Sequence, residues 1–201
     1  MAIPQLLHDL LTADGPSGYE GAAAQVWRDA AAEFATVETD TMGNSFARVA
    51  GTGDGPSVAI VGHIDEIGLI VTHIDDEGFL WFANVGGWDP QILIGQRVVV
   101  QARDARLPGV IGKKPIHLLS QDERKKVPEL KELHIDIGAK DGDEARELVR
   151  IGDTAVIDAA PVELPNGRAA SKAMDNRLGA YVALEAARLV AEAGGAPGDV
   201  A

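Results

Sequence analysis

Apolar positions recur at helical spacing near the amino terminus, where Pro4 to Leu11 reads as a short amphipathic helix closed by the breaker-rich Asp14-Gly15-Pro16. Ser17 stands three residues before Glu20, the spacing of a capping box, ahead of an Ala-rich helix running to about Phe34. Thr36–Asp40 and Ser45–Val49 read as strands joined through Met42-Gly43-Asn44. After the loop Gly51–Pro56, Ser57-Val58-Ala59-Ile60-Val61 is a continuous apolar run, the pattern of a strand buried on both faces. Helices followed by such a strand predict an α/β layer.

From about Leu69 the period changes. Short apolar runs at Leu69–Ile74, Gly78–Phe82, Arg97–Ala102, Gly109–Ile111, Leu133–Ile137 and Thr154–Ile157 alternate with Gly, Pro and Asp turns. They predict a small all-β unit, with one helix at Asp143–Val149 behind an Asp cap. Beyond Pro165-Asn166-Gly167 the helical pattern returns over about Asn176–Ala193, where Leu178, Tyr181, Val182, Ala186, Leu189 and Val190 share a face. The economical reading is an α/β domain interrupted by a β insertion. Gly194-Gly195-Ala196-Pro197-Gly198 is a stop signal, and Asp199-Val200-Ala201 reads as the start of a strand. A sheet ending there is short of a neighbour, so the expectation is an N-terminal portion of a longer protein.

Composition narrows the function classes. With 46% hydrophobic and 24% charged residues the chain is neither disordered nor collagen-like, and the lack of any Cys removes thiol catalysis, Cys-type zinc sites and iron–sulfur clusters. The 31 acidic against 18 basic side chains, a formal charge of −13, argue against nucleic acid or an anionic membrane as the partner. Met1-Ala2-Ile3-Pro4-Gln5 has no basic segment leading into an apolar one, and no apolar run reaches membrane-spanning length, so the expectation is a cytoplasmic protein.

Of the three His-Ile-Asp triplets, those at 63–65 and 73–75 stand ten positions apart. His63-Ile64-Asp65 directly follows the apolar run, with Gly62 allowing a close approach, and ligand sites of open α/β sheets lie beyond the carboxyl ends of strands. A metal-binding imidazole beside a carboxylate that fixes its tautomer is a common arrangement. His73-Ile74-Asp75 runs instead into the turn Asp76-Glu77-Gly78, so His73 is read as structural and Asp75 as a turn residue. Asp175, in Ser171-Lys172-Ala173-Met174-Asp175-Asn176-Arg177, precedes a helix, where a carboxylate commonly only caps amide groups. It also follows the return from the β unit, which would bring it beside His63; His and carboxylate donors together suit Zn²⁺ or Co²⁺, and a carboxylate can bridge two ions. His8 and His134 are read as core-edge residues, Trp81 and Trp88 as packing or subunit-contact residues, and Lys113–His117 with Arg124-Lys125-Lys126 as a solvated or interface-facing loop.

Together these residues resemble the M42 family of metallo-aminopeptidases, of the glutamyl and tetrahedral aminopeptidase type. The matching stretches are Gly15-Pro16-Ser17-Gly18-Tyr19-Glu20, Gly43-Asn44, Gly62 to Gly68, Gly86-Gly87-Trp88-Asp89-Pro90, Lys114 to Leu119, Ile135 to Ala139 and Lys172 to Arg177, in family order over nearly the whole chain. The resemblance implies a two-metal peptidase α/β domain (1–68 and 166–201) interrupted by an inserted small β-barrel dimerisation domain (69–165). It implies homo-oligomers building from dimers to a hollow dodecamer, with two divalent ions, zinc or cobalt, and short peptides as substrates. His63 would ligate one metal, Asp65 would orient its imidazole as the catalytic-site carboxylate, and Asp175 would bridge both ions through a turn whose bond to Asn176 is cis.

One departure matters. The family supplies a Glu-Glu pair after the last helix, as general base and metal ligand, followed by a further Asp and a His. No Glu-Glu dipeptide occurs in this chain, and Glu185 and Glu192 lie on the helix. The expectation is that the 201 residues alone have no peptidase activity, while the intact gene product is a metal-dependent aminopeptidase. The alternative is a non-catalytic oligomerisation or interaction protein of the same fold. A glycoside hydrolase would need a carboxylate pair across a sugar cleft, and none is placed for it. Residue preference and metal identity stay open.

Overall fold

The computed structural model describes residues 2–201. Among them the chain opens with α1 (Gln5–Thr12), α2 (Gly21–Ala31), β1 (Thr36–Thr39) and β2 (Ser45–Arg48). It continues through β3 (Gly68–Ile74), β4 (Leu80–Val85), the single turn α3 (Pro90–Leu93), β5 (Arg97–Gln101), β6 (Arg106–Lys113) and β7 (Leu133–Asp136). Then come α4 (Gly142–Leu148), β8 (Thr154–Ile157), β9 (Val162–Leu164), β10 (Arg168–Ala170) and α5 (Met174–Glu192). Two compact units result, one made of residues up to Glu66 with Ala160–Ala201, the other of Ile67–Ala159.

The second unit is a closed antiparallel barrel in the order β3-β4-β7-β6-β5-β8. Each of the six apolar runs expected after Leu69 contributes one strand. Two-residue alternation sends Leu69 and Val71, Leu80 and Phe82, Val98 and Val100, and Leu133 and Ile135 inward to one core. Closure leaves no strand edge unpaired. Asp141 caps α4 by accepting the Glu144 amide at 2.9 Å. Asp75 serves its turn as expected, accepting the Phe79 amide at 2.9 Å and the Trp81 indole N–H at 2.8 Å. His73 lies exposed on β3, His134 packs at the core edge with its ring 4.4 Å from Phe79, and Trp88 donates to the Gly68 carbonyl from a position against the core.

In the first unit α1, α2 and α5 pack around Leu10, Leu11, Ala31, Ala47 and Leu184, beside the β1–β2 hairpin. Three sequence expectations fail here. Ser57–Val61 is extended but is not a strand buried on both faces. Among the described residues it pairs along residues 199–201, through bonds such as Val58 N–H to the Asp199 carbonyl, and Val61 is 86% exposed. An apolar run marks a segment suited to burial; the burial itself depends on neighbours on both sides.

The face of α5 is the second correction. Leu178, Val182 and Leu189 are exposed, while Arg177, Ala180, Ala183, Leu184 and Ala187 are buried. Bulk decides this: α1 and α2 approach α5 across its small residues, close enough for the Trp27 indole to donate to the Ala180 carbonyl at 3.1 Å. The capping box is the third. Glu20 accepts the Gly18 amide at 2.6 Å, and Ser17 spends its hydroxyl elsewhere. After the barrel, β9 pairs with β10 in a short hairpin turned at Asn166 with φ of 65°. Among the described residues no helix is long and apolar enough to cross a membrane.

Candidate metal centre

Gly62 brings the His63 segment against the start of α5. A β-carbon there would lie 2.6 Å from the Ala180 amide nitrogen, so only glycine allows the approach. The next residue, His63, has both ring nitrogens engaged: Nδ1 is 2.8 Å from Asp65 Oδ1, and Nε2 is 3.2 Å from Asp175 Oδ1. The structure thus brings together the three residues singled out in the sequence, two from one segment and one from 110 residues further along.

Asp65 also accepts the Ser17 hydroxyl through Oδ2. That hydroxyl, helped by His63 and opposed by partial burial, holds the Asp65 carboxyl below the usual carboxylate range. An ionised carboxylate only accepts, so the Nδ1–H of His63 points at Asp65 and the ring is held with Nε2 facing Asp175. The Asp175 side chain is 96% exposed and does not cap the helix. Asn176 does so instead, its Oδ1 accepting the Gly179 amide at 3.1 Å, with regular helix beginning beyond it. The Asp175–Asn176 bond is cis.

His63 Nε2 and Asp175 Oδ1 stand at hydrogen-bond distance, and a divalent cation would take the place of the proton between them. Donors bound to one tetrahedral zinc at about 2.0–2.2 Å stand about 3.3 Å apart, and the observed 3.2 Å between His63 Nε2 and Asp175 Oδ1 fits that edge. A neutral imidazole and a carboxylate also suit the chemistry of zinc or cobalt. The donor pair therefore fits a divalent ion, as part of its ligand set: among the described residues no group of three or more His, Asp or Glu side chains converges on one point.

Beneath the centre lies a layer the sequence reading assigned no role. Arg177 is fully buried, donating from Nε to the Ile64 carbonyl at 2.8 Å, from Nη1 to the Leu10 and Ala13 carbonyls, and from Nη2 to Glu66 Oε1 at 3.2 Å. Glu66 Oε1 also receives Lys172 Nζ at 3.0 Å and the Gly15 amide at 3.2 Å. Burial pushes the Arg177 guanidinium down from its ordinary value, and Glu66 pulls it back up. One signal was available: residues 177, 180, 184 and 187 share a helix face, so an Arg heads a row of small and apolar residues. A groove of about 710 Å³ runs from His63 and Asp65 past Asn176 to Trp27, Phe46 and Leu184.

Residues 43–196 match the profile of the peptidase M42 family, described as M42 glutamyl aminopeptidase. The chain is 32% identical over 196 residues to lysyl aminopeptidase of Pyrococcus furiosus, covering 94% of this chain and 55% of that protein. A TET aminopeptidase from a marine sediment Thaumarchaeota archaeon superposes with a TM-score of 0.92 at 39% identity, over 98% of this chain and 56% of the other. The TET1 peptidase of Pyrococcus horikoshii, which can assemble into a tetrahedron or a large octahedral shell, superposes with a TM-score of 0.87 at 34% identity, over 98% and 58%. The chain spans about half the length of the curated relatives it matches.

Proposed function

The chain belongs to the M42 glutamyl aminopeptidase family, and from that premise we propose that its full-length gene product is a metal-dependent aminopeptidase that removes N-terminal residues from short peptides. The observation that carries the reading is the 3.2 Å approach of His63 Nε2 to Asp175 Oδ1 with Asp65 holding the opposite ring nitrogen. His63 and Asp175 would hold divalent metal, zinc or cobalt. Bound there, such ions supply Lewis-acid polarisation of a peptide carbonyl and a water made acidic enough to attack it.

The chain's own residues position the donors and shape the groove beside them. Asp65 holds the ring through Nδ1 so that Nε2 would face the ion, and Ser17 donates to Asp65 and keeps it aimed. The groove beside His63 and Asn176 has room for the end of an extended peptide, with Phe46, Trp27 and Leu184 as apolar walls. The general base is assigned to the Glu-Glu pair of the family pattern, which the 201 residues do not contain, so the activity is attached to the full-length protein. By likeness to the Pyrococcus horikoshii TET1 peptidase we also read it as a homo-oligomer, with the barrel as its dimerisation domain.

The test is release of aniline from aminoacyl-anilides by the full-length protein, stripped with a chelator and titrated with cobalt or zinc. Activity that returns with metal and is lost by His63→Ala and Asp175→Ala supports the reading. A folded full-length protein with no metal-dependent release overturns it in favour of a non-catalytic assembly role.

A further inference from the structure

We propose that Glu66, Lys172 and Arg177 form a buried positioning clamp that sets the distance between His63 and Asp175, and through it the affinity of the centre for its ion. The inference rests on the metal-centre reading above and extends it to residues that touch neither ion nor substrate.

Asp175 has little of its own to hold it. Its carboxylate is almost fully exposed and its backbone is non-helical, with φ −92° and ψ 100°. Its position is set by its flanks. Three residues before it, Lys172 Nζ reaches Glu66 Oε1 at 3.0 Å; two residues after it, Arg177 Nη2 reaches the same oxygen at 3.2 Å. Glu66 in turn stands three residues beyond His63, on the segment that carries Asp65. One carboxylate oxygen thus ties both sides of the Asp175 turn to the His63 segment.

Arg177 adds a second tie, its Nε donating to the carbonyl of Ile64, the residue between His63 and Asp65. The loop of Ser17 is joined to the same hub. Gly15 donates its amide to Glu66 Oε1, Glu66 N–H donates to the Gly15 carbonyl, and Ser17 N–H donates to the Glu66 carbonyl. Every element that touches the imidazole–carboxylate pair is therefore bonded to Glu66 or Arg177.

Side-chain burial here is deep. Arg177 is 0% exposed, Glu66 3% and Lys172 12%, with Asp14 3.8 Å from the Lys172 ammonium. Removing that many charges from water costs more than a well-packed apolar set would, so stability alone does not favour the arrangement. What it provides is fixed geometry: buried ionic hydrogen bonds converging on one oxygen hold two segments over 100 residues apart in sequence in one register. Groups behind a ligand that set its orientation affect metal affinity by about 10–100-fold.

The test is cobalt binding to the full-length protein, followed by calorimetry and by the visible absorption of the bound ion, with thermal unfolding of each metal-free variant as a control. Lys172→Met keeps the length of the side chain and removes its donor. It should weaken cobalt binding by about 10–100-fold and alter the cobalt spectrum, and Lys172→Arg, which restores a cationic donor to Glu66, should recover both. Glu66→Gln, similar in shape but without charge, should act like Lys172→Met and provides the same reading if that variant does not fold. Folded Lys172→Met or Glu66→Gln protein with wild-type affinity and spectrum overturns the clamp. His63→Ala separates the two levels: wild-type cobalt binding by that variant overturns the metal centre itself, whereas its loss beside unchanged clamp variants removes the clamp alone.

Discussion

Gly62 and Ala180 meet backbone to backbone: a β-carbon on Gly62 would stand 2.6 Å from the Ala180 amide nitrogen and 2.9 Å from the Gly179 carbonyl carbon. Backbone atoms inside a helix cannot step aside as a flexible side chain can. Gly62→Ala must therefore push the His63 segment away from α5, at an expected cost of about 1–3 kcal/mol, and widen the gap between His63 and Asp175. Cobalt affinity should fall together with thermal stability. A variant that melts and binds cobalt like wild type would remove the close approach as a determinant of the centre.

Ser17→Ala tests the electrostatics. The Ser17 hydroxyl is the main cause that holds Asp65 below the usual carboxylate range. A carboxyl depressed by folding adds stability above its unfolded value near pH 3.9 and loses it as pH falls through the folded value. Without the hydroxyl the folded value moves back toward the unfolded one. Ser17→Ala should melt below wild type at pH 7, and the difference should shrink as pH falls below the unfolded value near 3.9 and through the depressed value of folded Asp65. Melting curves at pH 7 and pH 3 check this; an equal gap at both would show that the hydroxyl acts only through packing.

Asn176→Ala removes the oxygen that accepts the Gly179 amide. Loss of a helix cap costs about 1 kcal/mol, measurable by urea unfolding. Because the substitution loosens the turn carrying Asp175, the cobalt affinity should drop as well. Asp141→Ala, which uncaps α4 in the barrel, should cost a similar amount and leave cobalt binding unchanged, since it lies in the other compact unit.

Ile135→Ala probes the barrel. Ile135 is fully buried where β4, β6 and β7 meet, and its truncation should cost about 2–5 kcal/mol. Ile151→Ala, at a position 67% exposed, should change stability by less than about 0.5 kcal/mol. Denaturant titrations of the two variants side by side provide the comparison.

Local pattern by itself determined much of this protein. Short apolar runs between turn residues marked each of the six barrel strands, and Asp141 and Asp75 carried their cap and turn in the residues beside them, because strands, caps and turns are decided within a few residues of the chain. Position 63 was reached from His-Ile-Asp after Gly62 at the end of an apolar run, and Asp175 from its place after the return from the β unit together with the resemblance to the M42 family. What only the tertiary structure decided were the contacts between segments far apart in sequence. Whether Ser57–Val61 is covered, which face of α5 turns inward, and that Ser17 donates to Asp65 instead of capping α2 all depend on neighbours that periodicity does not record. The same holds for Glu66, Lys172 and Arg177, ordinary surface charges by composition, which become a buried ionic layer because the fold places them where water cannot compete for their hydrogen bonds.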